Sequence, residues 1–333
     1  MKLLIVGGGS IGERHLRCFQ HVGAHDVVLC EPNAPRRQEL ADRYTLPRTL
    51  ASIEDAVAEA WDAAVICTPA HLHVAHALTL LPRTSGLLIE KPLATQLAKA
   101  QTLIDAARGK RVSVAYTYRA HPAVQAVREL LASGRLGALL ELVVVAGQHF
   151  PTFRPAYRET YYADRSTGGG AIQDAATHLF DIAQYLAGRF DWVYCDYAHQ
   201  ALEGVSVEDT VHLAARANRE QVLIHIALNQ FMAPNETTLQ LNGSLASARI
   251  HFHEHRYAVL AHGDTAWRWS ETLVNERDDL FRIQARKFLE MCAGHSPPAC
   301  SLDDALHTLE INLAALESAG ARRVPIQDLA KHG

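Results

Sequence analysis

The feature that most constrains this chain is a glycine cluster directly after its first apolar segment. Residues 3–6 form a short run of β-favouring residues, and the sequence continues Gly-Gly-Gly-Ser-Ile-Gly over residues 7–12. A strand followed by G-x-G-x-x-G and a helix predicts a dinucleotide-binding βα unit, in which the glycines allow a tight turn and a close approach of the pyrophosphate to the backbone. The residues predicted to bind the cofactor here are Gly7, Gly9, Ser10, Ile11 and Gly12.

An acidic residue follows at the distance that such a unit requires. A second apolar run over residues 27–30 ends in Glu31, which lies 19 residues after Gly12. A carboxylate about 20 residues beyond the motif accepts hydrogen bonds from the ribose and repels a 2′-phosphate. The sequence therefore predicts NAD as the cofactor. Arg36 and Arg37 lie within reach of a phosphate, so NADP stays a second alternative.

The rest of the chain divides into two parts of different character. Helical patterns over residues 36–43, 53–59, 74–81 and 95–108 alternate with strand patterns over 63–67, 87–89 and 112–115. This alternation predicts an α/β Rossmann domain with a doubly wound parallel sheet over residues 1–119.

A helix over residues 122–132 follows, and then long strands at 139–145, 210–217, 222–228 and 248–252 with turn signals between them. They predict an α+β domain with a large, open, mostly antiparallel sheet over residues 120–333, closed by helices over 276–292 and 302–319. We expect this second domain to bind substrate and to mediate oligomerisation.

Composition excludes several classes of partner. The chain of 333 residues has 32 Lys and Arg against 36 Asp and Glu, a net charge of −4, which gives no basic surface for nucleic acid. It has no apolar run of about 18 residues, so no membrane segment is expected. The six cysteines form no CxxC pair and the first residues do not form a signal peptide, which predicts a reducing, cytoplasmic location.

Two further segments carry residues suited to acid–base chemistry. Glu90-Lys91-Pro92 follows a predicted strand, at the sheet edge where ligands of α/β proteins bind. Three glycines at 168–170 precede a predicted helix that places Asp174 and His178 four residues apart on one face. A carboxylate beside an imidazole can orient it for proton transfer. On their own, however, these patterns are also typical of a strand ending at proline and of an exposed helix face.

Together the segments GGGSIGERH, CTPAHLH, EKPLA and GGGAIQDAATHLFDIAQYLAG, in this order, resemble the Gfo/Idh/MocA oxidoreductase family. The resemblance extends over nearly the whole chain. It implies a Rossmann domain and an open-sheet domain with the substrate between them, NAD or NADP as cofactor, and a cis peptide at Lys91–Pro92. It further implies a homodimer or homotetramer.

The resemblance also implies roles for individual residues. Lys91, Asp174 and His178 correspond to the family's catalytic positions, with a substrate hydroxyl oxidised to a ketone by hydride transfer. Asp174 would hold the imidazole or bind a neighbouring hydroxyl. Whether Lys91 or His178 accepts the proton stays open. The other residues expected around the cofactor are Thr68, Pro69, His73 and Glu90, with Lys91.

A loop at residues 150–162 is dense in aromatic residues and arginine, which suit sugar rings and acidic groups. From it and from the end of the first domain we predict substrate contacts by Arg154, Arg158, Tyr161 and Arg119. The expected substrate is a cyclitol or a sugar, in particular an amino or acidic sugar, free or linked to a nucleotide. Packing at an oligomer interface is an equal alternative for this loop.

Alternating histidines at 251, 253 and 255 share a face if they lie on one strand, but no cysteine or second ligand cluster lies near them in sequence and the family resemblance implies no metal, so we predict none. Two other functions remain alternatives to a dehydrogenase. One is a sensor that binds the cofactor without turnover, and the other is a redox-neutral glycosidase that reduces and reoxidises NAD within one cycle.

Overall fold

The structure is a computed structural model that describes residues 1–274 and 276–318. The first domain contains a six-stranded sheet in which every pair of neighbouring strands is parallel. The strand order is β3-β2-β1-β4-β5-β6, the doubly wound arrangement that the alternating sequence pattern predicts. The strands are β1 Lys2–Val6, β2 Asp26–Cys30, β3 Arg48–Leu50, β4 Ala63–Ile66, β5 Gly86–Ile89 and β6 Arg111–Val114.

Five α-helices cover the two faces of this sheet in the described chain before residue 119. They are α1 Ser10–His21, α2 Ala34–Tyr44, α3 Ile53–Ala56, α4 His73–Leu80 and α5 Leu97–Ala106. Local capping defines several of their ends: the Asn33 side chain accepts a hydrogen bond from the Arg36 backbone N–H at the start of α2. The strand order reverses between β1 and β4, and the carboxyl ends of the strands meet in a crevice at that point. The glycine loop and Thr68 therefore lie beside each other.

An eight-stranded sheet dominates the second domain, with the order β14-β13-β12-β11-β7-β10-β9-β8. Only β7 and β10 are parallel among its described pairs, so the prediction of a mostly antiparallel sheet is confirmed. Its strands are β7 Leu139–Gly147, β8 Phe190–Ala198, β9 Thr210–Ala217, β10 Val222–Asn229, β11 Glu236–Gly243, β12 Ala246–His251, β13 Arg256–Ala261 and β14 Arg268–Trp269.

Helices pack on one face of this sheet, because the apolar residues of each strand alternate toward that face. The core contains Val144, Leu213 and Ile226 from the sheet, and Phe180 and Ile182 from a helix. The helices of this part of the chain are α6 Pro122–Ala132, the short α7 Phe150–Phe153, α8 Thr177–Ala187, α9 Asp279–Cys292 and α10 Leu302–Ser318, of which α6, α8 and α10 contact the sheet. A π-helical segment Ile172–Ala176 runs directly into α8.

The closing helices require a correction to the predicted domain division. Phe288 of α9 packs edge-on against Phe19 of α1 with ring centroids 5.9 Å apart, in the core of the first domain. Leu309 of α10 lies in the other half of that core, whereas Ile311 lies in the core of the second domain. Helix α9 thus packs on the first domain, and α10 packs on both domains. The predicted positions 319–333 lie outside the described residues.

None of the helices in the described ranges is both long and apolar enough to cross a bilayer.

Candidate active site

Of the three glycines of the G-x-G-x-x-G motif after β1, the fold requires two and leaves the third free to change. Gly7 has a φ of +98°, and a Cβ there would lie 2.9 Å from the Cys67 carbonyl oxygen. A Cβ at Gly12 would lie 1.9 Å from the Gly7 oxygen, since α1 packs directly on the loop. Gly9 has an ordinary φ of −63°, and a Cβ at Gly9 would meet no atom within 4 Å. Open space at Gly9 is what a pyrophosphate needs.

Helix α1 begins at this open space. Its N-cap residue is Gly9, which offers no side chain to the first backbone N–H groups, among them those of Ser10 and Ile11. A phosphate satisfies such donors and is stabilised by the helix dipole. The loop therefore fits the pyrophosphate of a dinucleotide.

Glu31 and the two following arginines define the charge at the ribose end of this crevice. The Glu31 carboxylate accepts hydrogen bonds from Gly8 N at 2.6 Å and Asn33 N at 2.9 Å. Arg36 donates to the Glu13 carboxylate at 2.6 Å and to Gly8 O at 2.8 Å. Arg37 donates to the Glu31 carbonyl at 2.6 Å. Because both arginines are engaged by oxygen atoms of the protein, the crevice favours ribose hydroxyls over a 2′-phosphate.

His73 is buried and does not open toward the cofactor crevice. Its Nδ1 lies 2.8 Å from the Pro92 carbonyl and its Nε2 lies 2.7 Å from the Thr68 carbonyl. Burial lowers the pKa of His73, although the hydrogen bonds to the two carbonyl groups act to raise it. Both ring nitrogens are used, so the prediction that His73 binds cofactor is corrected: it ties the loop of Thr68 and Pro69 to the loop that follows Lys91.

Glu90 likewise points into the protein. Its carboxylate lies 2.7 Å from His15 Nε2 of α1 and accepts from Lys91 N at 3.1 Å. Burial by itself raises the pKa of Glu90, but the contact with His15 and the charge of Lys91 bring the pKa below its usual value. The predicted cofactor contact by Glu90 is replaced by a bond between α1 and the end of β5. The Lys91–Pro92 peptide is cis, as predicted.

Lys91 reaches from the first domain to the second. Its Nζ donates to the Asp174 carbonyl at 2.8 Å and lies 3.3 Å from the Asp174 carboxylate. The segment that carries Asp174 is π-helical rather than the predicted α-helix. Lys91 thus contacts Asp174, and Asp174 and His178 line the same cleft.

The Asp174 carboxylate binds three groups. Besides Lys91, Arg154 Nη1 donates to it at 2.8 Å and the Tyr161 hydroxyl donates at 2.5 Å. Burial alone raises the pKa of Asp174, but Lys91, Arg154 and the Tyr161 hydrogen bond together keep the pKa well below its usual value. Asp174 is therefore ionised. It makes no hydrogen bond to His178 among the described residues, so the prediction that it holds the imidazole is not met.

His178 lies between two aromatic rings. The Tyr116 and Tyr118 ring centroids are 5.9 and 5.5 Å from that of the imidazole, and the buried Nδ1 has no hydrogen-bond partner in the described structure. Burial lowers the pKa of His178 to about 3, helped by the charges of Lys91 and Arg154 and opposed by Asp174. The imidazole is neutral and able to accept a proton.

A cleft of about 120 Å³ opens beside these residues. Its charged and aromatic lining includes Arg154, Asp174, His178, Tyr118 and Phe150, and a set of polar residues at strand ends completes it: Gln148, Asn229, Gln230, Asn235 and Thr237. None of these polar residues was predicted from the sequence to line the site. Its only signal is that Asn229 and Gln230 end the regular alternation of β10.

Of the four predicted substrate residues only Arg154 lines the cleft; Tyr161 is joined to the cleft through the Asp174 carboxylate, and the other two lie elsewhere. Arg119 is buried, bound to Asp181 at 2.7 Å and to Asp304 at 2.7 Å, so it joins the two domains rather than binding substrate. Arg158 donates to the Glu203 carbonyl at 2.8 Å and stacks on Tyr157, outside the cleft lining. Both predictions are corrected by partners that lie far away in sequence.

The histidines after residue 250 do not share one strand face, because β12 ends at His251 and a turn follows. Ligand atoms of His251, His253 and Glu254 lie within 4.8 Å of one another. The Glu254 carboxylate is bound by the Arg256 guanidinium. Because this cation already neutralises the carboxylate, we propose no metal here.

Two family models match the chain one after the other. The model of an oxidoreductase family with an NAD-binding Rossmann fold, GFO_IDH_MocA, matches residues 1–118, and the GFO/IDH/MocA C-terminal domain matches residues 124–249. A levoglucosan dehydrogenase of Pseudarthrobacter phenanthrenivorans is 28% identical over 57% of this chain and 52% of its own length. The matched segment thus spans about half of that relative. An inositol 2-dehydrogenase of Corynebacterium glutamicum is 26% identical over 84% of this chain and 80% of its own.

Solved structures share the fold over nearly the whole chain. A levoglucosan dehydrogenase in complex with NADH and levoglucosan superposes with a TM-score of 0.86 at 22% identity, covering 96% of this chain and 97% of the other. The WlbA dehydrogenase of Bordetella pertussis, in complex with NADH and UDP-GlcNAcA, gives 0.81 at 21% identity, covering 96% and 95%. With two domain models in sequence order and the glycine loop intact, the chain belongs to the Gfo/Idh/MocA family of NAD-binding oxidoreductases.

Proposed function

We propose that this chain is an NAD-dependent dehydrogenase that oxidises a hydroxyl group of a sugar or cyclitol to a ketone. The observation that carries the proposal is the contact of Lys91 Nζ with Asp174, which lines the cleft together with His178. Relatives named inositol 2-dehydrogenase and levoglucosan dehydrogenase support the substrate class.

The residues of the chain divide the proton chemistry between them. Bound NAD supplies the acceptor for a hydride from the substrate carbon. The neutral His178 imidazole accepts the hydroxyl proton, and Lys91 Nζ donates a hydrogen bond to the same oxygen as negative charge develops on it. Asp174 stays ionised and holds the ammonium group of Lys91 in place. Tyr116 and Tyr118 flank the imidazole and limit the access of water.

Within this substrate class, Arg154 favours an acidic sugar. Its guanidinium lies in the cleft, bonded to Asp174 and above the Phe150 ring with 5.0 Å to the centroid. Lys91 and Arg154 together carry one more positive charge than Asp174 neutralises, and His178 is neutral. A carboxylate or phosphate on the substrate matches this excess and pairs well with a guanidinium. The structural similarity to a dehydrogenase crystallised with UDP-GlcNAcA is in line with a nucleotide-linked acidic sugar.

The dehydrogenase proposal is tested by following the absorbance of reduced nicotinamide. Levoglucosan, myo-inositol, uronic acids and nucleotide sugars are each screened with NAD and NADP. Net NADH, in amounts equal to the ketone formed, is the expected result, with NAD preferred. Lys91→Met and His178→Asn are each expected to lower kcat by roughly 100-fold or more. Product without net NADH, or parental turnover in both variants, contradicts the proposal.

The role of Arg154 is tested with a matched pair of variants. Arg154→Ala is expected to lower kcat/KM for an acid-bearing substrate by roughly 10- to 100-fold, the value of one charge-assisted hydrogen bond. The same variant changes kcat/KM for a neutral analogue much less. Arg158→Ala, which removes an arginine of the same loop outside the cleft, is the control. Equal losses on acidic and neutral substrates contradict an acidic-sugar specificity.

A further inference from the structure

A buried carboxylate outside the cleft lies against the start of the segment that carries Asp174. Glu208 precedes β9 and is 2% exposed, yet it is absent from the cleft lining. Its position in sequence gives no hint of this place, because 34 residues separate it from Asp174. A glutamate so deeply buried needs hydrogen-bond partners, and those partners show what it holds.

Both ends of Glu208 bind the segment that leads into the catalytic helix. One carboxylate oxygen accepts from Ile172 N at 3.1 Å, and the other accepts from Arg165 Nη2 at 2.7 Å. The Glu208 carbonyl accepts from Ala171 N at 2.9 Å. Two consecutive backbone N–H groups at the start of the helix are therefore satisfied by one residue, in the way of a cap supplied from another element.

The third glycine of the triplet is explained by this contact. Gly170 has a φ of +88°, and a Cβ there would lie 2.5 Å from the nearer Glu208 carboxylate oxygen. Any other residue at 170 would push the carboxylate away from Ile172. The glycine triplet and Glu208 thus form one unit.

Only one residue separates Ile172 from Asp174, whose carbonyl accepts from Lys91 Nζ at 2.8 Å. We propose that Glu208 is a positioning residue of the active site, which fixes the start of the catalytic helix so that Asp174 presents its carbonyl and carboxylate to Lys91. The proposal rests on the dehydrogenase function for its kinetic consequences. Glu208 is not among the residues that line the cleft, so it acts through the segment that it caps.

The test compares Glu208→Ala with Glu208→Gln, in the full-length protein. Glu208→Ala removes the acceptor for Ile172 N and is expected to lower kcat by roughly 10- to 100-fold, because a displacement of about 1 Å at a catalytic group has this effect. The KM for NAD stays within about twofold of the parental value, since the crevice is untouched. Glu208→Gln keeps an amide oxygen for Ile172 and is expected to recover most of the rate. Glu203→Ala, an exposed glutamate of the same loop, is the control.

A second measurement does not depend on turnover. Labelling of Lys91 by an amine-reactive reagent, measured by mass spectrometry, is expected to be faster in Glu208→Ala than in the parent and parental in Glu208→Gln. Parental kcat and labelling in Glu208→Ala, or equal losses in both variants, overturn the positioning role. A parent that turns over no substrate refutes the dehydrogenase proposal instead, and the labelling comparison still decides the role of Glu208.

Discussion

The protonation state of His178 is set by the side chains that surround it. Two tyrosine rings limit its solvation, and the positive charges of Lys91 and Arg154 oppose a third charge on the imidazole. The charge of Asp174 raises the pKa of His178, but that charge is itself neutralised by Lys91 and Arg154. The imidazole therefore stays neutral above about pH 3, the form that can accept a proton, but so low a pKa makes it a weak base.

This environment predicts a specific acid sensitivity. The folded-state pKa of His178 is about 3, whereas an unfolded histidine has a pKa of about 6.5. The unfolded chain binds the extra proton first, so the stabilisation is complete above about pH 6.5 and is lost as the pH falls toward 3. Between pH 7 and pH 5 the loss is at most about 2 kcal/mol. We expect His178→Gln to lose correspondingly less stability over this interval in urea unfolding. The exposed His262→Gln serves as the control, and a His178→Gln variant as acid-sensitive as the parent contradicts the prediction.

The roles of some residue types could be predicted from the sequence, and those of others could not. The glycines were identifiable because their roles follow from local geometry, and Gly7 and Gly12 show the close contacts that the motif requires. Arg119 and Arg158 were not, because an arginine near a cleft in sequence has the same appearance whether it faces substrate or a carboxylate. Arg119 donates hydrogen bonds to Asp181, which lies 62 positions away in the sequence. No local pattern reveals such a partner.

The segment from Ala171 to the end of α8 shows the same limit for a whole element. Its apolar spacing predicts one continuous helix, and a helix is present, but its first turns at Ile172–Ala176 are π-helical. The wider turn coincides with bonds to Glu208 and to Lys91, which come from distant parts of the chain. The spacing of apolar residues along a segment shows which face of the helix is apolar. It does not show which distant residues form hydrogen bonds with the end of the helix.

The loop between β7 and the catalytic helix divides its aromatic residues between two tasks. Phe150, Tyr157 and Tyr162 form a small core with Leu202 and Val207. Tyr161 instead turns to Asp174, and Arg154 lies in the cleft. The sequence indicated an aromatic, arginine-rich loop near the substrate but not which residues pack and which face the cleft, since neighbouring positions take opposite roles.

At the scale of the whole molecule, one face of the large sheet is not covered by helices and carries exposed apolar side chains. Leu223 of β10 and Trp192 of β8 are 47% and 45% exposed, and Val145 and Tyr194 lie on the same face. Exposed apolar patches of this kind are typical of subunit interfaces. We propose that a second copy of the chain covers this face, which makes the protein a homodimer or homotetramer.

Light scattering coupled to size exclusion tests this assembly. The parent is expected to elute as a single species with a mass of two or four chains, and Trp192→Glu is expected to shift it toward one chain because it buries a charge in the interface. Leu245→Glu changes an equally exposed apolar residue in the turn between β11 and β12 and is the control. A monomeric parent, or a Trp192→Glu variant of unchanged mass, contradicts the proposal.

The origin of the cleft lining has a consequence for how such proteins diversify. Apart from Tyr118, every lining residue comes from positions 146–237, whereas the glycine loop, Glu31 and Lys91 all belong to the first domain. The cleft lining and the cofactor crevice are thus encoded in separate stretches of the gene. Substitutions at the strand ends can exchange one sugar for another while the cofactor half remains as it is, so that a single inherited nicotinamide module serves many metabolic purposes.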